Sequence, residues 1–220
     1  MPNEYIYYQK FKRNPSMKKL LILLLLFGLS NLLIAQSKQE ALTSDKIVWF
    51  GLDFSNARFI DDMAFKSATE LKNKLFKQWN RLLLEEPAKY DIAKFFKVTT
   101  VETELGEVYK RNENVDPSNI ILDIRGLDYS LDENKIKEIV GQYQTDYEGY
   151  GLVFIVESFN KIKEKGTMWV TYFHIPTKQV VFTKKMSTEP GGIGVKNYWA
   201  SSIYKVFEKC KSEKSGWLKE

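Results

Sequence analysis

Apolar and polar positions alternate along this chain in patterns that change several times, and each change marks a predicted element. Lys46-Ile47-Val48-Trp49-Phe50-Gly51-Leu52-Asp53-Phe54 is a short apolar, β-branched and aromatic run, which predicts a strand. From 62 to 85 the period becomes helical. Phe65, Ala68, Leu71, Leu75, Trp79 and Leu82 step by three or four, while Lys66, Lys72, Asn73, Lys77 and Arg81 fall mostly on the opposite face. Pro87 ends that helix, because the residue before a proline avoids the helical region. A second short helix is predicted over 88–96. Val98 to Tyr109 reads as one or two β segments with a turn near Gly106, and Asn112 to Ser118 as a polar loop. Ile120 to Ile124 reads as a strand. Asp132 then caps a helix over about 133–144, with Ile136, Ile139, Val140 and Tyr143 on one face.

Gly151 to Val156 is almost wholly apolar, the signature of a central strand covered on both faces. Met168 to Ile175 and Gln179 to Met186 follow as two strands. Pro176-Thr177-Lys178 joins them, with the proline preset for the second position of a turn. A last helix is predicted over about 197–211, its inner face formed by Trp199, Ile203, Val206 or Phe207, and Cys210. The order implies an α/β (or α+β) fold: a single mixed β-sheet of about five to six strands with a C-terminal hairpin, packed by about three main helices. There is no internal repeat.

The first 35 residues of the pattern are different in kind. Met17-Lys18-Lys19 precedes a leucine-rich run of 16 residues, 20–35, ending in Ala35. Two lysines, an apolar core and a small final residue make a signal peptide, with cleavage expected near Ala35-Gln36. A membrane span needs about 20 residues, so an uncleaved tether is the weaker reading. Residues 1–16 are long and polar for a leader, which points to translation starting at Met17. The chain thus divides into a leader (1–35), a flexible tether (36–45), one globular domain (46–211) and a C-terminal tail (212–220). The leader implies export, and the resemblance given below narrows the expected location to the periplasm or cell envelope of a Gram-negative bacterium. Membrane contact would come only through the leader, were it retained.

Charge changes meaning once the leader is set aside. The whole chain of 220 residues carries +5, from 33 basic and 28 acidic side chains. The leader holds five of those bases and one acid, leaving 28 against 27. A near-neutral domain offers no clustered basic surface, so no nucleic-acid partner is expected. Cys210 is the only cysteine, which excludes an intrachain disulfide.

The candidate chemistry is sparse. His174 is the only histidine, and no Gly-x-Ser-x-Gly elbow accompanies it. A zinc site would need a carboxylate-dominated ligand set. No catalytic residue, metal or cofactor is therefore expected. Two segments stand out as ligand or partner sites. Asp53, Ser55, Asn56 and Arg58 would lie beyond the carboxyl end of the first strand, where open α/β sheets gather ligands. The plain alternative for them is a satisfied turn. Gly191, Gly192, Gly194 and Lys196 lie in a loop entering the last helix, where glycine amides could meet an anion or a partner's carboxylate. The plain alternative there is a loop whose glycines take positive φ and let Trp199 reach the core. The spacing fits neither a Walker loop nor a dinucleotide loop.

The phrases "GLDFSNARF", "GYGLVFIVESFNK", "FHIPTKQVVFTKKM" and "GGIGVKNYWASSI" together resemble uncharacterised exported proteins of Bacteroidetes-type bacteria. That resemblance implies export and a shared fold, with no activity attached. The hairpin followed by a last helix is also similar to periplasmic assembly domains of the penicillin-binding-protein-activator and curli-secretion type. Of their hairpin pattern Asp-x-x-Thr-Gly-x-Val, Thr177 and Val180 match; His174 and Lys178 depart, and no functional residue carries across. The function expected is a non-enzymatic envelope binding or assembly protein with a possible envelope protein partner. The alternative is a small-ligand-binding protein or hydrolase with a polar pocket at the end of the first strand.

Overall fold

Residue Lys19 and residues 37–219 are described by a computed structural model of the chain. The expected leader, its cleavage site and the start at Met17 lie outside the described residues. The first element corrects an expectation. Residues 37–43, read as part of a loose tether, form a helix, α1, whose Ala41 and Leu42 are buried in the core. These two adjacent apolar residues dock an otherwise polar helix of about two turns.

Strand β1 (Lys46–Asp53) follows, then β2 (Arg58–Ile60). The helix expected from 62 begins later. Asp61 Oδ1 accepts the amides of Met63 and Ala64, closing a turn, and Ser67 Oγ accepts the amide of Glu70, so Ser67 is the true cap. Helix α2 (Ala68–Glu70), a π turn (Leu71–Leu75) and α3 (Phe76–Glu85) run on without a break. Helix α4 (Ile92–Phe96) and strand β3 (Thr100–Thr103) come next.

The segment read as a second β piece and a polar loop is instead helix α5 (Gly106–Glu113) and a 3₁₀ turn (Pro117–Asn119). Strand β4 is shorter than expected (Ile121–Leu122) and passes into another 3₁₀ turn (Ile124–Asp128). Helix α6 (Glu133–Gly141) starts at the expected cap, where Asp132 Oδ1 accepts the amide of Lys135 at 2.8 Å. Strands β5 (Tyr150–Asn160), β6 (Lys165–His174) and β7 (Gln179–Thr188) form an antiparallel meander. The turn at Pro176 closes with Lys178 N–H donating to the Ile175 carbonyl at 3.3 Å. Helix α7 (Val195–Trp217) is longer than expected at its C-terminal end and takes in most of the supposed tail.

The seven strands make one mixed sheet. Strands β1 and β2 lie one after the other along the same edge of β5, both parallel to it: Asp53 pairs with Ile155 and Arg58 with Ser158. Strand β3 flanks β1 and β4 flanks β2, again parallel. β1–β2 is in effect one strand broken at 54–57, and the sheet has five rows. Side chains from the two faces find different covers. Trp49 and Phe154 meet Phe207 of α7 at 5.7 and 4.7 Å between ring centres, while Phe50 stacks on Tyr143, just beyond α6, at 5.8 Å. Helices thus cover both faces, which is why 151–156 of β5 is almost wholly apolar. Ser37–Glu220 clusters as one compact unit. No helix among the described residues is long and apolar enough to cross a membrane.

Candidate functional site

The break between β1 and β2 leaves backbone groups without ladder partners, and buried side chains take them up. Gly51 makes the bulge, with φ +89°. Two asparagines follow it closely. Asn80 of α3 accepts from Leu52 N–H at 2.8 Å and donates to Leu52 carbonyl at 3.0 Å, while Asn112 of α5 accepts from Phe54 N–H at 2.7 Å. Burying these backbone groups unpaired would cost about 1–3 kcal/mol each.

Asp53 sits at the break with 0% exposure. Its Oδ1 accepts the amide of Ser55 at 2.7 Å, and its Oδ2 accepts from Arg111 Nε at 3.0 Å and the Tyr143 hydroxyl at 2.8 Å. Arg111 spreads its other nitrogens to Ser55 Oγ at 3.0 Å and Gln142 Oε1 at 2.9 Å. Burial first, and then the Asp53 charge, push the Tyr143 phenol well above its ordinary range, so it stays a donor. The carboxylate therefore locks the broken strand to α5 and to the end of α6. Asn56 donates to Ser55 Oγ at 3.1 Å. Arg58 turns away, donating to the Ala57 carbonyl and lying 5.0 Å from the centre of the Tyr129 ring. The four residues read as one pocket wall thus divide: Asp53 and Ser55 belong to a closed ion-pair network and Arg58 to a separate stack.

The glycine loop is the second candidate. Gly192 and Gly194 have φ of +106° and +79°, a region open to glycine, and Gly194 immediately precedes α7. Gly191 N–H is already engaged by Ser201 Oγ at 2.6 Å. Trp199 is buried and stacks on Phe159, 4.6 Å between ring centres and 3° between planes. The loop also borders a groove of about 550 Å³, walled on the other side by the π turn and α2. Ile193 stands at its lip, 92% exposed. Trp79 Nε1 donates to the Lys196 carbonyl at 2.9 Å, tying this lip to α3. Lys66 and Lys196 line the groove without an ion-pair partner among the described residues, whereas Lys74 is paired with Glu70 at 3.2 Å.

The remaining reactive groups are structurally engaged. His174 Nδ1 lies 2.8 Å from Thr177 Oγ1 at the hairpin turn. Cys210 is buried with its Sγ 3.7 Å from Met186 Sδ, and burial pushes its thiol well up. Among the described residues no group of three or more His, Cys, Asp or Glu side chains could hold a metal ion.

Arg111, Asn112 and Asn80 escaped sequence reasoning. Arg111 and Asn112 lie on a helix that had been read as strand and loop, so their side chains could not be assigned to a face. The spacing Glu107, Lys110, Arg111, Asn114 is the helical signal that was present.

No protein-family model matches the chain, and no curated protein matches it. Among solved structures, the C-terminal domain of LpoB from Salmonella enterica is similar at 13% identity, covering 71% of this chain and 95% of that one, with a TM-score of 0.29. A likeness of that size assigns no role. The resemblance to exported Bacteroidetes-type proteins rests on the four sequence phrases alone.

Proposed function

We propose that this chain is a non-enzymatic binding domain, exported to the periplasm or cell envelope, that holds a protein partner in the groove beside the glycine loop. The observation that carries this reading is Ile193, 92% exposed on a loop fixed by hydrogen bonds. A large apolar side chain held out in water at the lip of a groove is a natural anchor for a partner. Lys66 and Lys196 add positive charge without internal partners. The partner segment that fits is apolar at its centre and acidic at its flanks. Gly191, Gly192, Gly194 and Lys196 act here as the frame that presents Ile193 more than as anion ligands. Export rests on the lysines, apolar run and Ala35 of the leader. The pocket reading for Asp53 and Ser55 loses its main support, because both are consumed by Arg111.

The test places a photo-crosslinking side chain at Ile193 in the native host, with exposed Leu84 as the control position. The expected result is one envelope protein captured from Ile193, absent from Leu84, and lost when Lys66 and Lys196 are both changed to Glu. Equal capture from both positions, or none, would overturn the reading. The mature N-terminus, determined by mass, is expected near Gln36.

A further inference from the structure

Three acidic residues are buried among the described residues: Asp53, Glu107 and Glu157. Two are fully engaged. Asp53 has the partners given above. Glu157 Oε2 accepts from Leu131 N–H at 2.9 Å, Trp169 Nε1 at 3.0 Å and Lys185 Nζ at 2.8 Å. Glu107 is different. It is 6% exposed, yet its carboxylate has no hydrogen-bond or ion-pair partner among the described residues. Among the described residues, the side-chain polar atoms that are both sealed from solvent and unpartnered are Trp49 Nε1, Tyr172 OH and Trp217 Nε1. The Glu107 oxygens are not among them, so they open onto the groove that Glu107 lines.

That groove has a volume of about 420 Å³ and is bordered by Ser55, Asn56, Lys110, Arg111, Asn114 and Gln144 besides Glu107. Lys110 lies one turn beyond Glu107 on α5 and is exposed, with no ion-pair partner among the described residues. Positions three apart on a helix share a face, with Cβ atoms roughly 5–6 Å apart. Asn114 and Gln144 also have side-chain amides free of partners. The neighbouring charges are already paired: Arg111 with Asp53, and Lys135 with Glu138 at 2.8 Å. The groove thus offers one free buried carboxylate, one free ammonium and neutral amides in the same lining. The Glu107 side chain is only 6% exposed and its oxygens meet only the groove. Such groups mark places where a ligand completes the charge balance. A divalent cation would need several carboxylates or carbonyls, whereas an ammonium needs one carboxylate and amide acceptors.

We propose that this groove binds a small zwitterion, its primary ammonium on Glu107 and its carboxylate on Lys110. The site is separate from the glycine-loop groove and does not depend on it. Calorimetric titration of the full chain tests it with L-alanine, L-alanyl-L-alanine, N-acetyl-L-alanine and L-alaninamide. The expected result is that at least one zwitterion binds and both singly capped probes bind about tenfold more weakly or not at all. Glu107→Gln is expected to weaken the zwitterion about tenfold while the melting temperature is unchanged or raised. Lys110→Met, an exposed position that leaves the fold intact, is expected to bring L-alanine down to the level of L-alaninamide. Four outcomes overturn the proposal: no zwitterion binding up to about 10 mM, capped probes binding as well as free ones, zwitterion affinity unchanged in Lys110→Met, or binding of Mg²⁺ or Ca²⁺ alone that Glu107→Gln abolishes.

Discussion

Arg111→Met isolates the lock at the strand break. The substitution keeps a long side chain and removes the guanidinium. Asp53, with 0% exposure, would keep the Ser55 amide and the Tyr143 hydroxyl but lose its only opposite charge. Removing one partner from a buried ion pair typically costs about 3–5 kcal/mol. The Arg111 side chain is itself 12% exposed at the groove, so some water reaches the site and the lower end of that range applies. The expected loss is about 3 kcal/mol, equivalent to a drop in melting temperature of roughly 6–12 °C for a domain of this size. Asp53→Asn is milder, about 2 kcal/mol, because Arg111 keeps Ser55, Gln142 and solvent. The double variant removes both charges, so its loss falls short of the sum by about 1–3 kcal/mol. Urea unfolding followed by fluorescence of the five tryptophans reads all four proteins of the cycle. An Arg111→Met variant within about 0.5 kcal/mol of the parent, or strict additivity in the double variant, would refute the claim that this pair holds the break together.

Two further predictions concern the scaffold. Gly51→Ala is expected to cost about 2–4 kcal/mol in the same assay. Its φ of +89° strains any L side chain, and the new Cβ would lie 2.5 Å from Asn80 Oδ1, which is fixed on Leu52. Lys214 should impose a pH dependence. It is buried with its ammonium donating to the Phe96 carbonyl, and burial, followed by the charge of Lys97, lowers its pKa from 10.5 to about 8. Between those two values the unfolded chain binds the extra proton, so stability rises with pH across about 8 to 10.5. The penalty is fully present below pH 8 and is worth about 1–3 kcal/mol. Unfolding measured at several pH values is expected to show that rise in the parent and not in Lys214→Met.

The parts of the fold that were legible in the sequence are those where local chemistry and burial agree. The 151–156 stretch of β5 is apolar because both faces are covered, α6 begins at an aspartate that does cap it, and the Pro176 turn closes as proline geometry requires. Helix α5 was illegible because its cap is displaced. Leu105 occupies the capping position without a side-chain bond, and Glu104 Oε1 takes the amide of Glu107 instead. With Gly106 next, the stretch looked like a turn. The far end of α7 was illegible for another reason. Residues 211–216 are nearly all polar, and long-range contacts extend the helix through them: Trp217 buried against Phe182, 4.9 Å between ring centres, and Lys214 bonded to the Phe96 carbonyl. Of the candidate sites, position was readable and closure was not. The sequence placed Asp53 and Ser55 at the end of the first strand. It could not show that Arg111, 58 residues beyond Asp53, would occupy them.

The proposed partner groove makes a demand on rigidity that can be tested through Trp79. Its indole is fully buried among Phe54, Phe59 and Phe159, and its one polar atom reaches out of the core to the Lys196 carbonyl in the first turn of α7. Trp79→Phe would retain most of the packing. It would remove the hydrogen bond, worth about 0.5–1.5 kcal/mol net, and leave a small cavity, for a total of about 1–3 kcal/mol. The glycine-framed lip would then keep the Gly191 contacts to Tyr198 and Ser201 and the bond from Tyr198 N–H to the Gly194 carbonyl, all within its own loop and helix. Amide exchange over 194–198 should accelerate more than exchange in β5, because the lost bond is local. If Ile193 works as a pre-positioned anchor, freeing the lip adds an ordering cost to binding, and crosslinking from position 193 should fall although Trp79 does not line the groove. Faster exchange at the lip with undiminished crosslinking would mean that the partner tolerates a mobile loop, and the rigid-anchor argument would fail. Unchanged exchange would mean that the indole bond does not hold the lip at all.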